Sequence, residues 1–154
     1  AERCLVLILK AAASSGFHLL SRHDALPVYT TICQVSLDEP GASGNPAQIA
    51  RVLIDQGAGT VLVTLGAGGC VIVQPNQSFH IQSPGIKVVD GYGAGAAFAA
   101  GVIYGLQAGW PLEVWARFAN AHAALKCGIT GNPAMAISQV QELAERLDVR
   151  SLAL

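Results

Sequence analysis

Between Asp55 and Glu113 the chain carries only two charged side chains, Lys87 and Asp90. So long a stretch with so little charge must be folded into a core or placed in a membrane, because solvated segments are rich in charged residues. The whole 154-residue sequence leans the same way, with 52% hydrophobic and 12% charged residues, against roughly 25% charged in an average domain. Intrinsic disorder is therefore excluded. A chain of this length can bury about 68–70% of the surface it would expose unfolded, and a single domain over residues 1–154 is expected.

The uncharged run from Gly91 to Leu112 is about as long as a bilayer requires, but six glycines, Gln107 and Pro111 interrupt it. A buried helix fits that composition better than a membrane span. Nucleic acid is an equally poor partner: nine Lys and Arg face ten Asp and Glu, a net charge of −1, and no basic stripe is present. The apolar run Cys4 to Leu9 is short and preceded by Glu2 and Arg3, which does not match a secretory leader. A cytoplasmic setting is expected, with Cys4, Cys33, Cys70 and Cys127 as small buried side chains and not as a zinc site or disulfide framework.

Periodicity gives the order of elements. Cys4 to Leu9 reads as a buried strand, a short helix is expected near Ala11, and Val28 to Val35 forms a β-branched run before a loop from Asp38 to Gly44. Asn45 and Pro46 are cap and first residue of a helix with Ile49, Val52 and Leu53 on one face. Strands are expected at Thr60 to Leu65, Cys70 to Val73, Ser78 to Gln82 (exposed) and Ile86 to Val89. Three helices follow: Ala96 to Gln107, apolar all round and so buried all round; one from Pro111 with Trp115, Phe118, His122 and Leu125 on a stripe; and Ala134 to Leu147. This order implies a mixed sheet covered by helices, an α/β layered fold.

The strongest local signal is a strand leading into Asp90-Gly91-Tyr92-Gly93-Ala94-Gly95 and then an apolar helix. Glycines let the backbone turn with positive φ and present successive N–H groups, and the helix N-terminus adds partial positive charge, so the arrangement suits a phosphate. The competing explanation is a glycine turn used only for close packing. Neither G-x-x-x-x-G-K-[ST] nor a complete G-x-G-x-x-G is present, since Phe98 stands where the third glycine belongs.

Three ordered segments together resemble the ribokinase (PfkB) family of sugar and nucleoside kinases. They are Val63 to Gly69, Val88 to Gly101, and Phe118 to Ala124. The resemblance spans about residues 45 to 147, leaves 1–44 as a divergent segment, and implies a truncated ribokinase-like three-layer α/β/α fold. The family's central motif is D-T-T-G-A-G-D-x-F. By this resemblance Gly93, Ala94 and Gly95 are the anion hole for the transferring phosphoryl group, and Asp90 helps to bind a monovalent cation such as K+. The alternative for Asp90 is an acid that caps the turn. Ala96 occupies the place of the general base, and a methyl group cannot accept a proton, so a step that typically contributes 10²–10⁴-fold lacks its agent.

The same resemblance places Thr64, Gly66 and Gly69 along the nucleotide, and Asn120 and Ala123 on the helix walling the adenine pocket. It implies ATP or ADP as ligand, with Mg2+ and K+. Because the family's sugar-site glycines and its N-x-x-E motif are missing, the expected function is a nucleotide-binding domain impaired in phosphoryl transfer. Two alternatives stand beside it: an active sugar kinase completed by a second chain, and a non-catalytic interaction module. A homo-oligomer is expected under each, because removing half of such a fold uncovers apolar surface. His122 is expected to be a packing residue.

Overall fold

A computed structural model describes residues 6–10 (backbone), 31–37, 44–131 and 133–153. The strands are β1 (Val6–Lys10), β2 (Ile32–Ser36), β3 (Thr60–Thr64), β4 (Cys70–Gln74), β5 (Gln77–Ile81) and β6 (Val149–Ser151). They form one sheet in sequence order; β1, β2 and β3 are parallel and β4 runs antiparallel to β3. The helices are α1 (Pro46–Asp55), α2 (Ala94–Gln107), α3 (Leu112–Cys127) and α4 (Ile137–Glu145). This is the mixed α/β arrangement expected from the sequence. Among the described residues no helix is long and apolar enough to cross a membrane.

Chain contacts divide the molecule into two compact units: residues 1–66, 70–80 and 150–154, and residues 67–69 and 81–149. In the first, Val61 and Val63 of β3 and Val71 and Val73 of β4 join Cys33, Val35, Ile49, Ala50, Leu53 and Ile54 in one core. Leu62 and Ile72 alternate to the other face of the sheet and are fully buried too. Both faces of these strands are therefore apolar, which explains why the sequence shows continuous hydrophobic runs there. Asn45 caps α1 as expected: its Oδ1 accepts the Ala47 N–H at 2.9 Å and the Gln48 N–H at 3.4 Å. Ile49 and Leu53 are buried, but Val52 is 41% exposed and Ile54 takes its place in the core.

Two strand expectations are corrected. Ser78 and Phe79 are buried and not on an exposed strand, because β6, which the sequence pattern did not reveal, continues into Leu152: its N–H donates to the Ser78 carbonyl at 2.9 Å, and the Ser78 hydroxyl donates to the Leu152 carbonyl at 3.0 Å. Ile86 to Val89 is not a strand. The Val89 and Asp90 N–H groups both donate to the Cys127 carbonyl, at 2.7 and 3.1 Å, so this extended segment is tied to a helix end instead of a ladder. Cys4, the helix near Ala11, Val28 and most of the loop after Asp38 lie outside the described residues.

In the second unit α2 and α3 form a hairpin. A Cβ on Gly105 would come within 2.1 Å of the Trp115 Cβ, and one on Gly101 within 2.6 Å of the Ala119 Cα. These two glycines, one turn apart, let the helices approach closely. Tyr104, Trp110 and Phe118 close the end of the hairpin with ring centroids 5.2–5.4 Å apart. α2 begins at Ala94, two residues before the expected start, and is not buried all round: Ile103 and Tyr104 are 43% and 38% exposed. Its high apolar content comes largely from alanine and glycine, which demand little burial. α4 is shorter than expected; Val140 and the following Leu147 are buried, whereas Ile137 is 44% exposed.

Replacing Gly105 with alanine would raise intrinsic helix propensity by about 1 kcal/mol, yet the added methyl overlaps Trp115. Gly105→Ala should therefore destabilise the chain by about 1–3 kcal/mol in urea unfolding. A variant as stable as the wild type would show that α2 and α3 are not so closely packed.

Candidate active site

The segment Asp90 to Gly95 leads directly into α2. Gly93 is the N-cap residue at φ +85°, a conformation open to glycine at little cost, and no side chain caps the helix. The Ala94 N–H turns back to the Gly91 carbonyl at 3.3 Å, and the Ala97 N–H donates to the Gly93 carbonyl at 2.9 Å. Packing does not account for the neighbouring glycines. Among the described residues nothing lies within 4 Å of where a Cβ on Gly91 or Gly95 would stand. Bare glycines with open space beside them, at an uncapped helix N-terminus, leave the backbone approachable by an anion. Ala96 follows in the first turn and is exposed.

Asp90 anchors this turn. Its Oδ1 accepts the Tyr92 N–H at 2.9 Å, and its Oδ2 accepts the Lys126 ammonium at 3.1 Å and the Gly131 N–H at 3.3 Å. Lys126 also donates to the Asp90 main-chain oxygen at 2.9 Å, and its side chain is 2% exposed. The Tyr92 amide first, then Lys126 and Gly131, hold the Asp90 carboxyl below its ordinary value. Lys126 was not anticipated. The available signal was its position: Trp115, Ala119, His122 and Lys126 share one α3 stripe, and a lysine on a buried stripe requires a counter-charge.

Asp90 thus caps the turn, and the resemblance would also give it a monovalent cation. Each of its oxygens already receives a donor, and two receive the same ammonium. For magnesium, the described residues hold no cluster of three His, Cys, Asp or Glu side chains. That ion commonly uses one or two carboxylates together with substrate phosphates.

The other expected residues fall in both units. Asn120 is buried, its amide donating to the Ile81 and Gln82 carbonyls at 3.3 Å each, so its NH₂ braces the chain after β5. Ala123, one turn from it, is half-buried. Gly69 stands at φ +88°, where a Cβ would be 2.0 Å from the Ile81 carbonyl oxygen; glycine is required there for both conformation and space. In the first unit the Thr64 hydroxyl donates to the Val35 carbonyl at 3.4 Å, and Gly66 begins a short 3₁₀ turn at φ +55°. His122 Nδ1 lies 2.8 Å from the Ala97 carbonyl oxygen, and its ring is tilted against Phe118, in keeping with a packing residue. Burial pushes the Cys33 thiol up to about 11 and raises Cys70 also, so neither is a nucleophile near neutrality.

Comparison with known proteins defines the class to which this fold and glycine turn belong. Residues 36–136 match the pfkB family carbohydrate kinase model, and the chain belongs to that family. It is 35% identical over 144 residues to aminoimidazole riboside kinase of Salmonella typhimurium, covering 88% of this chain and 44% of the relative. It is also 35% identical over 94 residues to 1-phosphofructokinase of Escherichia coli, covering 58% of this chain and 30% of that enzyme. Ribokinase from Thermotoga maritima superposes with a TM-score of 0.68 at 23% identity, over 91% of this chain and 48% of its own. Aminoimidazole riboside kinase from Salmonella enterica, complexed with aminoimidazole riboside and an ATP analogue, gives 0.65 at 25% identity, over 90% and 50%. The fold is ribokinase-like, and the chain spans less than half the length of these curated relatives.

Because the folded-state Asp90 carboxyl is the stronger acid, it favours folding at pH values above its unfolded value of about 3.9. That contribution is lost as pH falls through the lower folded value. Asp90→Asn should lower the thermal midpoint at neutral pH, leaving a buried ammonium without its counter-charge. The gap from wild type should close in acid. Equal midpoints at neutral pH would refute the role given to the pair.

Proposed function

We propose that the chain is a nucleotide-binding ribokinase-like domain that holds the phosphates of ATP or ADP at the Gly93-Ala94-Gly95 turn and does not itself transfer phosphate. The observation that carries this reading is that, among the described residues, nothing stands within 4 Å of a Cβ placed on Gly91 or Gly95, at a helix start without a side-chain cap where Gly93 has positive φ. A glycine turn serving packing alone would have neighbours filling that space. Membership of a carbohydrate kinase family supplies the class of ligand, and the solved complex with an ATP analogue supports the choice of nucleotide. Magnesium would arrive with the phosphates. Within the same unit, Asn120 and Ala123 are the proposed adenine side and Gly69 a proposed nucleotide contact.

Phosphoryl transfer relies mainly on positioning and on electrostatic stabilisation of the moving group. The turn supplies amide dipoles for the second of these. What it lacks is a group to take the proton from an acceptor hydroxyl, since Ala96 offers only a methyl. Its exposure means that a carboxylate placed there would be solvated and tolerated by the fold.

Calorimetry with millimolar magnesium-ATP should give a saturable heat, and neither the wild type nor Ala96→Asp should consume ATP with a panel of sugars. Absence of heat would remove the nucleotide reading. Turnover by Ala96→Asp alone would make residue 96 the whole deficit and the chain an otherwise complete kinase. Turnover by the wild type would contradict the loss of transfer.

A further inference from the structure

We infer that the Lys126 ammonium is a built-in replacement for a free monovalent cation at Asp90, so that the glycine turn is held in place without K+. The Nζ atom bridges two oxygens of one residue, the Asp90 carbonyl at 2.9 Å and Oδ2 at 3.1 Å. A carbonyl and a carboxylate oxygen are the kind of hard donors that a small cation would otherwise use. The third oxygen, Oδ1, is taken by the Tyr92 N–H at 2.9 Å. A free cation in contact with the same oxygens would stand beside a like charge. Lys126, at 2% exposure, is enclosed and cannot swing into solvent to make room.

Charge balance leads to the same conclusion. Lys87 and Asp90 are the only charged residues from Gln56 to Leu112, and Lys87 is exposed. One carboxylate and one buried ammonium neutralise each other. Adding K+ would leave an excess positive charge, with no further acid among the described residues forming a metal-sized cluster.

Tethering the cation to α3 has a structural consequence. The Val89 and Asp90 N–H groups donate to the Cys127 carbonyl, one residue beyond Lys126, while Gly131 donates to Oδ2 from the following loop. The end of α3 therefore grips the segment leading into Gly91 to Gly95 through both main chain and side chain. Lys126 is a positioning residue for that turn. The inference does not require the chain to bind nucleotide.

The test follows thermal unfolding of the full chain in KCl and in tetramethylammonium chloride at matched ionic strength, with lysine-selective ¹⁵N NMR of the wild type. The wild-type midpoint should be the same in both salts, and one slowly exchanging ammonium resonance should be present and lost in Lys126→Arg. Lys126→Met should unfold at lower temperature in tetramethylammonium and recover part of the loss as KCl is raised, as expected for an ion that binds only the folded chain. A wild-type midpoint that rises saturably with KCl would overturn the inference. So would the absence of a protected ammonium, or a folded Lys126→Met that ignores KCl. If Lys126→Met does not fold, the wild-type salt comparison and the NMR spectrum decide the matter.

Discussion

The ion pair of the buried Lys126 with the partly exposed Asp90 is the constraint around which the second unit is arranged. An ammonium removed from water is costly unless its hydrogen bonds and its charge are both answered. Here both are answered by one residue, whose main-chain oxygen and Oδ2 lie 2.9 and 3.1 Å away. Asp90 can do this only if the segment before it lies along the end of α3, and its Oδ1 then fixes the next turn through the Tyr92 N–H. From that fixed point the chain reaches Gly93, turns with positive φ, and starts α2 with its first-turn amides uncapped by any side chain. Gly101 and Gly105 bring α2 back against α3, on which Lys126 is carried. The hairpin and the glycine turn therefore support each other.

Much of this was legible in the sequence because the signals are local. Asn45 and Pro46 mark a helix start by their own chemistry, and Val61 to Val63 of β3 and Cys70 to Val73 of β4 are apolar at successive positions because both sheet faces are buried. The turn at Asp90 to Gly95 stood out for its glycines. Less legible were features set by distant partners. β6 pairs beside Ser78 across a long sequence separation, and a three-residue strand containing Arg150 carries no hydrophobic pattern of its own. Val88 and Val89 look like a strand by composition, yet they are 61% and 58% exposed, and the Cys127 carbonyl takes the Val89 and Asp90 donors. Lys126 escaped notice because charge at the end of a helix is ordinarily a solvated residue that favours the helix dipole.

The scarcity of charge acquires a more specific meaning from this geometry. Only Lys87 and Asp90 are charged from Gln56 to Leu112, so little else in that stretch competes for the Lys126 ammonium. In a chain that belongs to a carbohydrate kinase family, the function proposed above rests on two local features, the glycine turn at residues 93–95 and a methyl side chain at Ala96 in the first turn of α2.

The most direct measurement is the amide ¹H–¹⁵N spectrum of the full chain during titration with magnesium-ATP. If the turn holds phosphate, saturable shifts centred on residues 93–96 are expected, smaller at Ala94 and Ala97, whose N–H groups already donate to the Gly91 and Gly93 carbonyls. Shifts that leave these amides unmoved while other parts of the chain respond, or a spectrum that does not change at all, would contradict it.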